Sequence, residues 1–147
     1  MIVVDASALV LALTDRGPRG DRAREELARD PDWAAPEHVT VEVLQSVRGL
    51  FLAGQVTLTE AADVTTRLET LPVQKIGVER LLSRIWELKD NLTPDDAAYV
   101  AVAELLNAPL VTADLRLARA SGPRCEIRRI DPAPATLTTD APGRPSP

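Results

Sequence analysis

Residues 1–13, MIVVDASALVLAL, change character at a single position. Ile2, Val3 and Val4 form a short β-branched run without polar alternation, as in a strand buried on both faces of a parallel sheet. After Asp5 the apolar residues take helical spacing, which predicts a strand at about 2–4 and a helix from about 6. An acid therefore stands where a buried strand turns into a helix. The same transition recurs in APLVTAD (108–114), where Asp114 follows an apolar run and a short helix in LRLARA (115–120) comes next.

Working outward from these two points, strands and helices alternate almost throughout. DRGPRGD (15–21) is punctuation, and a polar helix follows over 19–29. A short strand near 32–35 leads to a helix opened by Pro36 and ended by Gly54, whose Val39, Val43, Val47 and Leu50 form an inward stripe. A helix over 59–70, with Thr57 or Thr59 as cap, precedes a third strand near 73–76. Helices over 78–89 and 94–107, a fourth strand in 108–114 and a last strand in CEIRRI (125–130) complete the series. This alternation predicts an α/β fold, one domain over 1–130 with a mainly parallel central sheet flanked by helices. From Asp131 the chain reads DPAPATLTTDAPGRPSP, with little to bury, and a disordered tail is expected.

Composition narrows the function. A hydrophobic share of 45% with only 3% aromatics means that Val, Leu and Ala build the core. The single cysteine, Cys125, excludes an internal disulfide framework and fits a reducing compartment. No basic segment precedes the first apolar run, and nowhere do about 18 apolar residues run together, so neither a signal peptide nor a membrane span is expected. A cytoplasmic protein is the expectation. The net charge of −5 argues against unspecific binding to phosphate backbones, unless a few clustered acids that hold a cation cause the imbalance. The bases are fifteen arginines and two lysines, and arginine suits phosphate recognition.

In NLTPDDAAYV (91–100), Thr93 is a fitting N-cap, Pro94 fits the first helical position, and Asp96 completes a capping box. Acids in a first turn also favour the helix dipole. Asp5 and Asp114 could likewise be N-caps, and Glu42, early on the 36–53 helix, could be a solvated flank residue. Those ordinary readings do not account for the set. In an open α/β sheet, sites form at the carboxyl ends of strands, where Asp5, Asp96 and Asp114 fall. An unpaired carboxylate against a buried strand end is costly, and several converging there repel unless a cation holds them. With no His or Cys adjoining, the donors are oxygens, which indicates Mg²⁺, with Mn²⁺ as the other hard ion. Setting these four acids aside brings the charge from −5 to −1.

Taken together, these segments resemble the PIN-domain ribonucleases, and among them the VapC toxins of type II toxin–antitoxin pairs. The resemblance covers about residues 1–130. MIVVDASALV looks like the family's first strand and first acid, carried by Asp5. APEHVTVEVLQSVRGL (35–50) is similar to its second-acid helix, with Glu42 in the matching place. LTPDDAAYVAVAELLNAPLVTAD (92–114) resembles its third and fourth acid segments, with DAAY selecting Asp96 and TAD supplying Asp114. A further acid that some members carry after the fourth is replaced by Arg116, which favours one ion over two. The resemblance implies a Mg²⁺-dependent endoribonuclease cutting RNA phosphodiesters. Asp5 and Asp96 would bind the ion, Asp114 and Glu42 would hold its waters or a second ion, and Ser7 and Thr112 would orient the carboxylates. A cognate antitoxin protein is the implied partner. A homodimer is also expected, because Leu50, Phe51 and Leu52 exceed the needs of one apolar stripe.

Two alternatives differ in class. A phosphoryl-transfer protein of another α/β family would need Asp-x-Asp after the first strand, where this chain has DAS, or a late-strand lysine that neither Lys75 nor Lys89 supplies. A non-catalytic PIN-like binding module would be signalled by loss of an acid, and all four are present. Finally, adjacent helix residues lie about 100° apart, so Asp95 and Asp96 are expected to face differently: Asp96, on the face of Val100 and Ala103, toward Asp5, and Asp95, on the face of Tyr99 and Val102, nearer the rim.

Overall fold

A computed structural model describes residues 1–130; the Pro-rich tail expected from Asp131 onward lies outside the described residues. Five strands, β1 (Ile2–Val4), β2 (Trp33–Pro36), β3 (Val73–Ile76), β4 (Leu110–Thr112) and β5 (Ile127–Arg129), form one sheet in the order β3-β2-β1-β4-β5. All four pairings are parallel; the central register sets Val3 opposite both Ala34 and Leu110. β1 and β4 are buried at every position, which is why both read as unbroken apolar runs rather than alternating ones.

Among the described residues, seven helices connect the strands: α1 (Ala6–Thr14), α2 (Pro18–Ala28), α3 (Val39–Leu52), α4 (Leu58–Thr70), α5 (Leu82–Glu87), α6 (Pro94–Leu106) and α7 (Leu115–Arg119). The chain steps from β1 to β2 to β3 in one direction, then returns across the sheet to β4. Right-handed crossovers therefore put α1–α4 on one face and α5–α6 on the other. The packing agrees: α1 meets α2, α3 and α4, whereas α6 meets α5, β1, β2 and β4. The reversal between β1 and β4 is a topological switch point, where the loops leaving two adjacent strands diverge and open a crevice.

Local boundaries follow the sequence with a few instructive departures. Thr57 caps α4 in a complete capping box with Glu60. Pro36 does not open α3 but ends β2, pairing with Ile76, and the helix starts only after His38. The expected 78–89 helix is shorter, a 3₁₀ turn over Glu79–Leu81 followed by α5. On α3 the stripe of Val39, Val43 and Val47 is buried, with Leu50 at its edge. Helix α6 ends at Asn107, which adopts the left-handed conformation (φ 47°) with its amide bonded back to Ala103 and Glu104, as a helix C-terminus requires. Among the described residues, no helix is long and apolar enough to cross a membrane.

Candidate active site

Asp5 leaves the carboxyl end of β1 and is the residue before α1, but its carboxylate does not cap that helix. It is 5% exposed, and Oδ2 accepts hydrogen bonds from the hydroxyls of Ser7 and Thr112, the latter at 2.7 Å. Those hydroxyls also touch each other at 3.2 Å. They are fixed in turn by the loop after β4: the Ala113 amide donates to Ser7 Oγ at 3.0 Å and the Asp114 amide to Thr112 Oγ1 at 2.9 Å. The switch point thus brings the two strand ends together through one small hydroxyl cluster. Burial raises the Asp5 carboxyl above its ordinary value; the two hydroxyls oppose this, and the charge of Asp96 adds to it. A buried carboxylate under a second carboxylate's field is a poor structural cap and a good cation ligand.

Asp96 occupies the first turn of α6. Its amide donates to Thr93 Oγ1 at 3.2 Å, and the Thr93 hydroxyl donates to Asp96 Oδ2 at 2.9 Å. The cap is therefore real, although the carboxylate takes the threonine hydroxyl rather than the backbone N–H of a full capping box. Asp96 is half-buried while Asp95 is exposed, yet both carboxylates act inward: the charge of Asp96 reaches Asp5 and that of Asp95 reaches Glu42.

Glu42 sits on α3, held by groups that the sequence alone did not bring together. Tyr99, fully buried on α6, donates its hydroxyl to Glu42 Oε2 at 2.5 Å. His38 lies one turn before Glu42, with Nε2 3.5 Å from the same oxygen. The two rings meet edge to face with centroids 5.5 Å apart. Burial raises the Glu42 carboxyl, the Tyr99 hydroxyl and His38 pull it down, and the charges of Asp5 and Asp95 push it up again. Burial and the bond to Glu42 push the Tyr99 hydroxyl far above its ordinary value, so it stays protonated and remains a donor.

Asp114 behaves otherwise. Its Oδ1 accepts the Arg116 amide at 2.7 Å, as an N-cap of α7, and its Oδ2 takes Arg116 Nη2 at 3.2 Å. Burial would raise the carboxyl, but the bonds and charge of Arg116 outweigh it and hold the group below its ordinary value. For Asp114 the capping reading holds; for Asp5 it fails.

Residues 2–123 match the sequence model of the PIN domain family. This chain is a PIN domain. Ribonuclease VapC9 of Mycobacterium tuberculosis is 42% identical over 130 residues, covering 86% of this chain and 96% of its own length. Two solved structures share the fold: M. tuberculosis VapC20, a Sarcin-Ricin loop cleaving toxin (TM-score 0.61, 20% identity, 78% of this chain and 90% of that one), and a toxin–antitoxin complex from Klebsiella pneumoniae (0.61, 17%, 89% and 98%). The all-parallel five-stranded sheet is thus the PIN-domain sheet, and the alternative α/β phosphoryl-transfer families fall away.

PIN-domain nucleases of the VapC kind are generally dependent on a divalent metal. The donors here fit such an ion in kind: Asp5, Asp96 and Glu42 offer only oxygens, and two of them are raised by burial with a neighbouring acid's charge adding to the shift. Among the described residues no three Asp, Glu, His or Cys side chains form a ready-made cluster. Mg²⁺ does not demand one, since it is commonly bound through one or two carboxylates and keeps several waters. Tyr99 and His38 are the residues of this PIN domain that sequence reasoning missed. The available signal was an aromatic three positions after Asp96, which marks that acid but does not say that its hydroxyl meets Glu42.

Proposed function

We propose that this PIN domain is an endoribonuclease and the toxin of a type II toxin–antitoxin pair, cutting RNA phosphodiester bonds at the crevice between β1 and β4. One observation carries the reading: the buried Asp5 carboxylate, held by Ser7 and Thr112 from both strand ends, stands under the field of Asp96. Folding places two repelling acids there at a cost that a bound cation would offset. The 42% identity to a VapC ribonuclease over nearly the whole domain supports the same conclusion.

Asp5 and Asp96 would hold Mg²⁺, and Mn²⁺ could take its place. When bound, the ion supplies a water of lowered pKa and neutralises charge that grows on the phosphate. The protein's own contribution is orientation. Ser7 and Thr112 fix the Asp5 carboxylate and oppose the protonation that its burial favours. Tyr99 fixes one Glu42 oxygen, so that the other is free to accept a proton from, or align, the attacking water. Asp114 orders the β4 loop that carries Thr112.

The Klebsiella neighbour is a toxin–antitoxin complex, and α3 offers a surface for such assembly. Val41, Leu44, Phe51 and Leu52 are exposed on the side opposite its buried valines. This face serves a homodimer, an amphipathic antitoxin segment, or both in succession. The test is induction of the chain alone, followed by sequencing of new RNA 5′ ends, with Asp96→Asn as control. Discrete Mg²⁺-dependent ends lost in the variant are expected; identical ends from both proteins, or none from either, would refute the nuclease reading.

A further inference from the structure

Several arginines elsewhere in the domain are committed to local partners. Arg24 bonds the carbonyls of Ala12 and Asp15 and pairs with Asp21; Arg84 is clamped to Glu104; Arg16 pairs with Glu60, and Arg128 with Glu126. Arg116 differs in where its partner stands. It lies on the first turn of α7, just beyond the carboxyl end of β4, and a short chain of bonds ties it to the acid crevice. Thr112 Oγ1 donates to Asp5 at 2.7 Å and accepts the Asp114 amide at 2.9 Å; Asp114 Oδ2 then takes Arg116 Nη2 at 3.2 Å. The charge of Asp96 also reaches this guanidinium. The side chain is nevertheless 86% exposed, and a guanidinium has five N–H donors in a planar fork.

Asp114, for its part, has both oxygens turned to Arg116, one to the amide and one to the side chain. A carboxylate so occupied is a tether for the arginine more than a ligand for an ion. The carboxylates of Asp5, Asp96 and Glu42 present negative charge to an incoming phosphodiester. One divalent ion at Asp5 and Asp96 cancels those two charges and leaves Glu42 and Asp95 facing the substrate. A tethered guanidinium supplies the missing positive charge, and its fork matches two phosphate oxygens at once.

We propose that Arg116 is a substrate-positioning residue that grips a backbone phosphate beside the cut bond and, by engaging Asp114, leaves the site built for one divalent ion. This rests on the nuclease reading above and adds to it the group that holds the RNA backbone.

The test compares the unmodified chain with Arg116→Ala and Arg116→Lys. Binding of a mixed-sequence 2′-O-methyl oligonucleotide is measured in Ca²⁺ across a range of salt, and Mn²⁺ stoichiometry by titration calorimetry. The Asp114 cap uses the Arg116 backbone amide, so the alanine variant keeps it and should melt near the unmodified chain. Arg116→Ala should bind roughly tenfold more weakly. Its dependence of log K on log salt should be shallower by about 0.7, the loss of one phosphate contact on a single strand. Arg116→Lys should keep the salt dependence but lose part of the affinity, and the unmodified chain should take up one Mn²⁺. A purely structural arginine would change the melting point and leave the salt slope alone. Unchanged affinity and slope in Arg116→Ala, or two Mn²⁺ per unmodified chain, overturns the proposal. If the unmodified chain still cuts RNA and Asp96→Asn does not, the nuclease reading survives that result. An unmodified chain that neither binds nor cuts overturns both.

Discussion

Asp95 and Asp96 are neighbours in sequence with different surroundings, and they give the sharpest residue-scale test. Asp96→Asn should lower Mg²⁺-dependent cleavage on the order of 10³-fold, the scale for losing one group that stabilises transition-state charge. It should change stability by less than about 1 kcal/mol, since asparagine can still accept the Thr93 hydroxyl. Asp95→Asn should keep most activity, because that side chain is exposed and reaches the site only through its charge on Glu42. An essential Asp95 with a replaceable Asp96 would break the assignment. Asp5 yields a second prediction. Its folded pKa lies above the ordinary 3.8, so the metal-free native state binds more protons than the unfolded chain, and stability falls as pH rises through 3.8 toward the folded value. Asp5→Asn should therefore raise the melting point of the metal-free protein at neutral pH while abolishing cleavage; a lower melting point would show that the carboxylate stabilises the fold. Asp5, Asp96 and Asp114 were legible in the sequence because strand ends and helix starts are local signals. The grip of Tyr99 on Glu42 joins residues 57 positions apart, and no local pattern encodes which aromatic will meet which acid.

At the scale of elements, α6 shows why the face that Asp95 shares with Tyr99 is exposed at the first turn and buried after it. Seven consecutive residues, Ala97–Ala103, are buried, so between its first and last turns this helix has no solvent side on which a rim residue could sit. Adjacent-residue angles separate Asp95 from Asp96 only because both lie in that first turn. The other end of α6 is fixed by an ion pair that the sequence did not advertise. Arg84 on α5 grips Glu104 with Nε at 2.8 Å and Nη2 at 2.9 Å, and also donates to the Gly122 carbonyl at 2.8 Å. The Arg124 amide completes the set on Glu104 at 2.8 Å. Gly122 stands at φ 109°, close enough to Leu88 that a Cβ would meet its Cδ2 at 2.9 Å. This staple holds α5, α6 and the loop before β5 together. The bonds from Arg84 hold the Glu104 carboxyl below its ordinary 4.5. The unfolded chain binds that proton first, so the contribution is full above pH 4.5 and is lost as pH falls through the lower folded value. Glu104→Gln should cost about 1.5–3 kcal/mol at neutral pH, the range for hydrogen bonds to charged groups. In thermal melts the gap between variant and parent should close in acid; a gap that persists there would mean that packing, not the ion pair, sets the cost.

For the whole molecule, α3 has two apolar sides, and among the described residues only the inner one is packed into the core. Val39, Val43 and Val47 face the core, while Val41 (69% exposed) and Leu52 (64%) face outward with Leu44 and Phe51. The excess was legible in Leu50, Phe51 and Leu52, although Leu50 belongs to the inner edge and Val41 and Leu44 extend the outer face by three turns. The positions 41, 44, 51 and 52 follow a helical stripe interrupted by Arg48, so these exposed apolar residues share one side of the helix and are not a scatter around it. Solvating such a stripe is unfavourable at about 25 cal/mol per Å², and a two-fold pairing of like stripes removes it with one self-complementary contact. A stable pair needs roughly 800 Å² from each partner, more than one helix face offers, so neighbouring apolar residues such as Leu58 on α4 should join the contact. Sedimentation at tens of micromolar, a concentration set by ordinary dimer affinities, should give twice the chain mass. Phe51→Asp should give the single-chain mass with an intact fold, because its side chain takes no part in the core. A monomeric parent would leave the α3 face to the antitoxin alone, and in that case Phe51→Asp should weaken antitoxin binding without altering the mass of the free chain.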